Sequence, residues 1–94
     1  MMTASQCRAA RALLNWSQAD LANTAQVGIS TVRTFEADTA IPRRATLAMM
    51  VLALEKHGIV FLAAGDPALG EGVSLRQSAD EGLKPEQLNA ENDG

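Results

Sequence analysis

Apolar residues recur along this chain at helical spacing up to about residue 57, and the pattern then changes to short β-branched runs. Cys7, Ala10, Arg11 and Leu14 share one side of a first helix, which Thr3 opens and Gln6, three residues later, completes as a capping box. Ser17 opens a second helix, with Asp20 at its third position and Trp16 stapled to Leu21 across the cap. Leu21, Ala22 and Ala25 line its inner side. After a tight turn, Val32 and Phe35 repeat at helical spacing and predict a short helix over 28–37 that packs back against the second. Asp38 to Pro42 reads as a loop, because proline disfavours helix at Ile41 before it.

Arg43 and Arg44 begin a fourth helix that runs to His57, with Gly58 as its C-cap. Its pattern is apolar on two sides. Leu47, Met50, Val51 and Leu54 form one face, and Met49 and Leu52 project from the other, so it needs two things to pack against. Ile59 to Leu62 is β-branched and aromatic, and Val73 to Gln77 alternates apolar with polar; the turn-forming stretch 63–71 between them makes a β-hairpin. An isolated hairpin is marginal. It is expected to lean on the fourth helix, to pair with a second copy of the chain, or both. Met49, Leu52, Ile59, Val60, Phe61, Leu62, Val73 and Leu75 are the candidate dimerisation residues. The expected class is mainly α: a four-helix unit over 1–58, a hairpin over 59–77, and a polar, acidic tail over 78–94 with no apolar period, expected to be disordered.

On the third helix, Ser30, Arg33 and Thr34 fall opposite Val32 and Phe35, flanked by Ile29 and Thr31. A solvated polar face is the ordinary reading of such a pattern. The alternative is a surface that meets DNA: Arg33 suits the O6 and N7 of guanine, Ser30 and Thr34 suit base edges or phosphates, and Ile29 suits a thymine methyl. Ser17, Gly28, Thr31, Arg43 and Arg44 are candidate phosphate contacts beside it. Arg11 and Glu36 both fall at the edge of the helical core, where either charge alone is costly to bury. An ion pair between them is the economical arrangement; two separately solvated charges are the alternative.

The overall charge of −3 opposes a role with nucleic acid, and its distribution resolves part of the conflict. Residues 1–60 hold six basic and four acidic side chains, a net of +2, whereas residues 61–94 hold two basic and seven acidic, a net of −5. The single cysteine, Cys7, forms no intrachain disulfide and reads as a small core residue. The lone histidine lacks acid–base or metal partners and reads as part of the helix end. No metal cluster, cofactor loop, nucleophile–base pair or membrane-length apolar run stands out, so the expectation is a non-enzymatic, cytoplasmic protein without cofactor or metal.

The order helix, Ser17-Gln18-Ala19-Asp20-Leu21-Ala22, turn, Val32, Phe35-Glu36 resembles the lambda-repressor-like family of phage and bacterial regulators, often called the XRE family, over roughly residues 5–57. The resemblance implies a DNA-binding helix-turn-helix with helix 28–37 in the major groove, and a contact from Gln18 to the DNA backbone or a base. It also implies the Arg11–Glu36 pair and a homodimer that represses transcription from an inverted repeat in double-stranded DNA. A DNA-binding antitoxin of a toxin–antitoxin pair and a protein-interaction module that has lost DNA binding are the alternatives. Two positions depart from the family pattern. Gln26 replaces the usual turn glycine, and Gly28 stands where Ser or Thr often caps the recognition helix.

Overall fold

The computed structural model describes residues 2–62 and 70–76. Four helices, α1 (Ala4–Leu14), α2 (Gln18–Ala25), α3 (Ile29–Glu36) and α4 (Arg44–Lys56), precede two antiparallel strands, β1 (Ile59–Leu62) and β2 (Gly72–Leu75). The chain is thus mainly helical with a small two-stranded sheet. The second strand begins and ends slightly before the Val73–Gln77 span expected from alternation. Residues 63–69 of the expected turn, Gln77 and the 78–94 tail lie outside the described residues.

Both expected capping boxes form. Thr3 and Gln6 exchange bonds at the start of α1, as do Ser17 and Asp20 at the start of α2. Gly28 opens α3 from an extended conformation with no side-chain cap. The α1, α2 and α3 ends share one device. In each, a left-handed residue lets the chain fold back so that two amides bond carbonyls of the last turn. Trp16 N–H reaches Arg11 O at 2.9 Å, Val27 N–H reaches Ala22 O at 3.0 Å, and Thr39 N–H reaches Thr34 O at 2.9 Å. The left-handed residues are Asn15, Gln26 and Asp38, at φ 59°, 62° and 61°. Asn and Asp adopt this region more readily than other non-glycine residues; Gln26 lies outside that group, and its side chain makes only a long 3.5 Å bond to Asn23 O.

α4 ends differently. His57 is its cap, one residue before the expected Gly58, and Gly58 follows at φ +99°. A Cβ there would stand 3.2 Å from Arg76 O, so both the backbone angle and the nearby strand require glycine. The His57 ring supports the helix end by donating from Nδ1 to Ala53 O at 2.9 Å, and it meets Trp16 edge-on at 4.8 Å.

Cys7 and Ala10 of α1, Leu21, Ala22 and Ala25 of α2, Val32 and Phe35 of α3, and Met50, Ala53 and Leu54 of α4 form one core. The strands complete it. The register pairs Ile59 with Leu75 and Phe61 with Val73, so these four residues share the face that packs inward, Ile59 being fully buried. This removes Ile59 from any dimer face, and it turns Phe61, Val73 and Leu75 toward their own chain. These three are partly buried against the core. The sheet leans on two helices, β2 on α1 and β1 on α4, rather than on α4 alone.

A polar clamp holds it there. The Gln6 amide accepts from Thr3 N–H in the capping box and donates to Leu62 O at 3.0 Å and Gly72 O at 2.9 Å. One side chain therefore opens α1 and grips both strands at a single register pair. The Thr3 hydroxyl adds a 2.6 Å bond to Glu71.

Gln26→Gly relieves the one left-handed position held by an unsuited side chain. We expect it to stabilise the fold by about 1 kcal/mol in urea denaturation, whereas Asn15→Gly changes it by only a few tenths. Equal effects at the two sites would refute the assignment of strain to Gln26.

Candidate nucleic-acid interface

The region to either side of α3 divides into a sequestered inner face and an open outer one. On the inner side Val32, Phe35 and Glu36 are buried. The Glu36 carboxylate, with its residue only 4% exposed, is the polar centre of the helical unit. Arg11 grips it with two parallel bonds, Nε to Oε2 at 2.7 Å and Nη2 to Oε1 at 2.6 Å. Cys7 Sγ donates to Oε2 at 3.0 Å, and Gln18 Nε2 donates to Oε1 at 3.0 Å. Each carboxylate oxygen thus accepts twice, which satisfies a buried carboxylate fully. The Arg8 guanidinium donates to the Glu36 backbone carbonyl, and Arg11 Nη1 reaches Trp16 O at 2.9 Å. Residues from α1, α2 and α3 converge on this one group.

The ionisation states follow from that geometry. Burial alone would push the Glu36 carboxyl up, but the hydrogen bonds from Arg11, Cys7 and Gln18, with the Arg11 charge, outweigh it and hold the carboxyl below its usual range. The bond from Arg11 to Glu36 in turn raises the Arg11 guanidinium. Burial, followed by the hydrogen bond and charge of Glu36, pushes the Cys7 thiol far up, so it remains a protonated donor.

The outer side carries the candidate contacts. Ser30, Arg33 and Thr34 are exposed, as are Arg43 and Arg44 where α4 begins. Among the described residues Arg11–Glu36 is the ion pair formed, so Arg33, Arg43 and Arg44 have no carboxylate within salt-bridge reach there. The Thr34 hydroxyl donates back to Ser30 O at 3.0 Å, which leaves its oxygen as an acceptor at the surface. Thr31 is half-buried and Gly28 is exposed at the helix start.

Three candidates also serve the fold. Ile29 is half-buried and packs on the core, which leaves only part of its side chain open at the surface. Gln18 is half-buried and tied to Glu36, leaving its amide oxygen and one N–H for any outside contact. The Ser17 hydroxyl accepts from Asp20 N–H as a cap, and the residue remains exposed. Sequence reasoning missed Gln6 and Arg8 as ties between elements. Their partners are backbone carbonyls, which leave no trace in residue type.

The described residues contain no group of three metal-ligating side chains, and no helix among them is long and apolar enough to cross a membrane. No family model matches the chain, and no curated protein matches it.

Because the Glu36 pKa is depressed in the folded state, its contribution to stability is present above the ordinary glutamate range and is lost as pH falls through the folded-state value. Thermal melts should therefore show stability declining on the acid side, and Glu36→Gln should flatten that decline. Arg11→Met leaves the buried carboxylate without its cation and should cost about 3–5 kcal/mol, more than Glu36→Gln, which leaves a partly exposed arginine that water can reach. The reverse order would show that the arginine, not the carboxylate, is the charge that depends on the pair.

Proposed function

We propose that this chain is a sequence-specific double-stranded-DNA-binding transcriptional regulator of the lambda-repressor-like helix-turn-helix type. In this reading α3 enters the major groove with α2 behind it. The observation that carries the proposal is the outer strip of α3. Arg33 stands there between Ser30 and Thr34, exposed and without a counter-charge among the described residues, on a helix whose other side is wholly occupied by the core. A guanidinium so placed suits the paired acceptors of guanine, and the hydroxyls beside it suit base edges or phosphate oxygens. Arg43 and Arg44 supply positive charge for the flanking backbone, the sequence-independent part of such binding. Gln18, steadied by Glu36, offers its free amide oxygen and N–H at the start of α2.

A regulator of this kind reads an inverted repeat as a homodimer, with recognition helices about 34 Å apart. The surface available for dimerisation is narrower than the pattern of apolar residues suggested. Met49 and Leu52 are 45% and 49% exposed on α4, and Val60 and Leu62 lie on the sheet face turned away from the core. These four residues are the proposed contact between copies, and occlusion of a promoter by the bound pair is the proposed mechanism of repression.

Random-site selection on duplex DNA tests the reading of Arg33. The parent chain should enrich a two-fold symmetric site, and Arg33→Ala should relax one position per half-site, a loss of roughly 1–3 kcal/mol there. An unchanged base preference removes Arg33 from the reading role. For the dimer, Met49→Glu with Leu52→Glu should shift the sedimentation coefficient from dimer to monomer without loss of helical circular dichroism. A parent chain that sediments as a monomer throughout the micromolar range would remove the dimer from the proposal.

A further inference from the structure

We propose that the acidic segment 77–94 docks on the arginine surface of its own chain and competes there with nucleic acid. The competition rests on the DNA reading above; the docking itself does not. The segment holds Asp80, Glu81, Glu86, Glu91 and Asp93 against Lys84, a net charge of −4. Arg33, Arg43 and Arg44 form the complementary set, all exposed and without a carboxylate in salt-bridge reach among the described residues. Carboxylates and phosphates are both oxyanions that a guanidinium takes in the same two-pronged geometry. An acidic segment can thus occupy a surface built for phosphates.

The reach is sufficient. Arg76 N–H bonds Gly58 O at 2.7 Å, so the segment departs from the C-terminal end of α4, while Arg43 and Arg44 stand at its other end. The 13 residues of α4 put those ends about 20 Å apart. The 18 residues from 77 to 94 can span up to about 60 Å, enough to follow α4 back and continue to Arg33. Covalent attachment gives such a segment an effective concentration in the millimolar range, so weak, salt-sensitive contacts suffice to hold it part of the time. The consequence is a threshold: nonspecific DNA, held mainly by phosphate contacts, is displaced more readily than a site that adds base contacts.

The test uses the full-length chain and its full-length variant Asp80→Asn, Glu81→Gln, Glu86→Gln, Glu91→Gln, Asp93→Asn. Without DNA, the arginine Nε–H signals of Arg33, Arg43 and Arg44 in nitrogen-15 NMR spectra should differ between the two at low salt and converge at high salt. Those differences should not depend on protein concentration. Identical signals at low salt overturn the docking, even if the variant binds DNA more tightly through its altered net charge. Differences that grow with protein concentration overturn docking within one chain. With a random-sequence duplex at about 50 mM salt, the variant should bind roughly tenfold more tightly than the parent, and the gap should close as salt rises. Equal affinities overturn the competition. If neither protein binds DNA while the arginine signals differ, the docking stands and the DNA reading fails.

Discussion

The helical unit depends on one carboxylate that has to stay charged where water cannot reach it. Glu36 gains nothing from burial by itself, since removing a carboxylate from water is costly. What makes its position tenable is that four donor groups, from Arg11, Cys7 and Gln18, converge on its two oxygens. That requirement fixes how α1, α2 and α3 lie against one another more narrowly than apolar packing can. Alanine-rich surfaces slide past each other at small penalty, whereas a two-pronged guanidinium contact tolerates little displacement. The unit has few large side chains with which to set its geometry, and directional bonds at Glu36 set it instead.

This constraint also decides what α3 presents to its surroundings. With Glu36 held inward beside Val32 and Phe35, the helix has no rotational freedom left, and Ser30, Arg33 and Thr34 must face out. The folded-back end of α3 extends the order into the following loop. Asp38 N–H bonds Phe35 O, and Thr39 bonds Thr34 O through both its amide and its hydroxyl. The segment between the outer strip of α3 and the two arginines opening α4 is therefore pinned at its start.

Much of the fold was legible because its determinants are local. The two capping boxes are spelled out in residues three apart, and most of the inner faces of the helices follow from spacing, although Ala4, Gln6 and Ala53 are buried beyond it. The Arg11–Glu36 pair was accessible to reasoning because two charges at the edge of one core have few alternatives. Other features were hidden because they depend on neighbours distant in sequence. Nothing near Gln6 indicates that its amide reaches carbonyls 56 and 66 residues away. Nothing near Ile29 tells whether a residue flanking the polar strip tips toward the core or the solvent. The left-handed turn at Gln26 runs against local preference, so only the surrounding structure could specify it. At the candidate site, the exposure of Ser30, Arg33 and Thr34 follows directly from periodicity, while the tie between Gln18 and Glu36 requires the packed arrangement of helices.

The Gln6 clamp makes the two distant ends of the described chain a single cooperative unit. A two-stranded ladder has little stability of its own, and this one borrows its support from the first turn of α1. Unwinding that turn releases the amide that bridges the strands, and loss of the strands strips α1 of the cover that β2 gives it. Fraying, which in most small domains starts independently at each terminus, is here one shared event: the start of the first helix and the strand β2 open and close together.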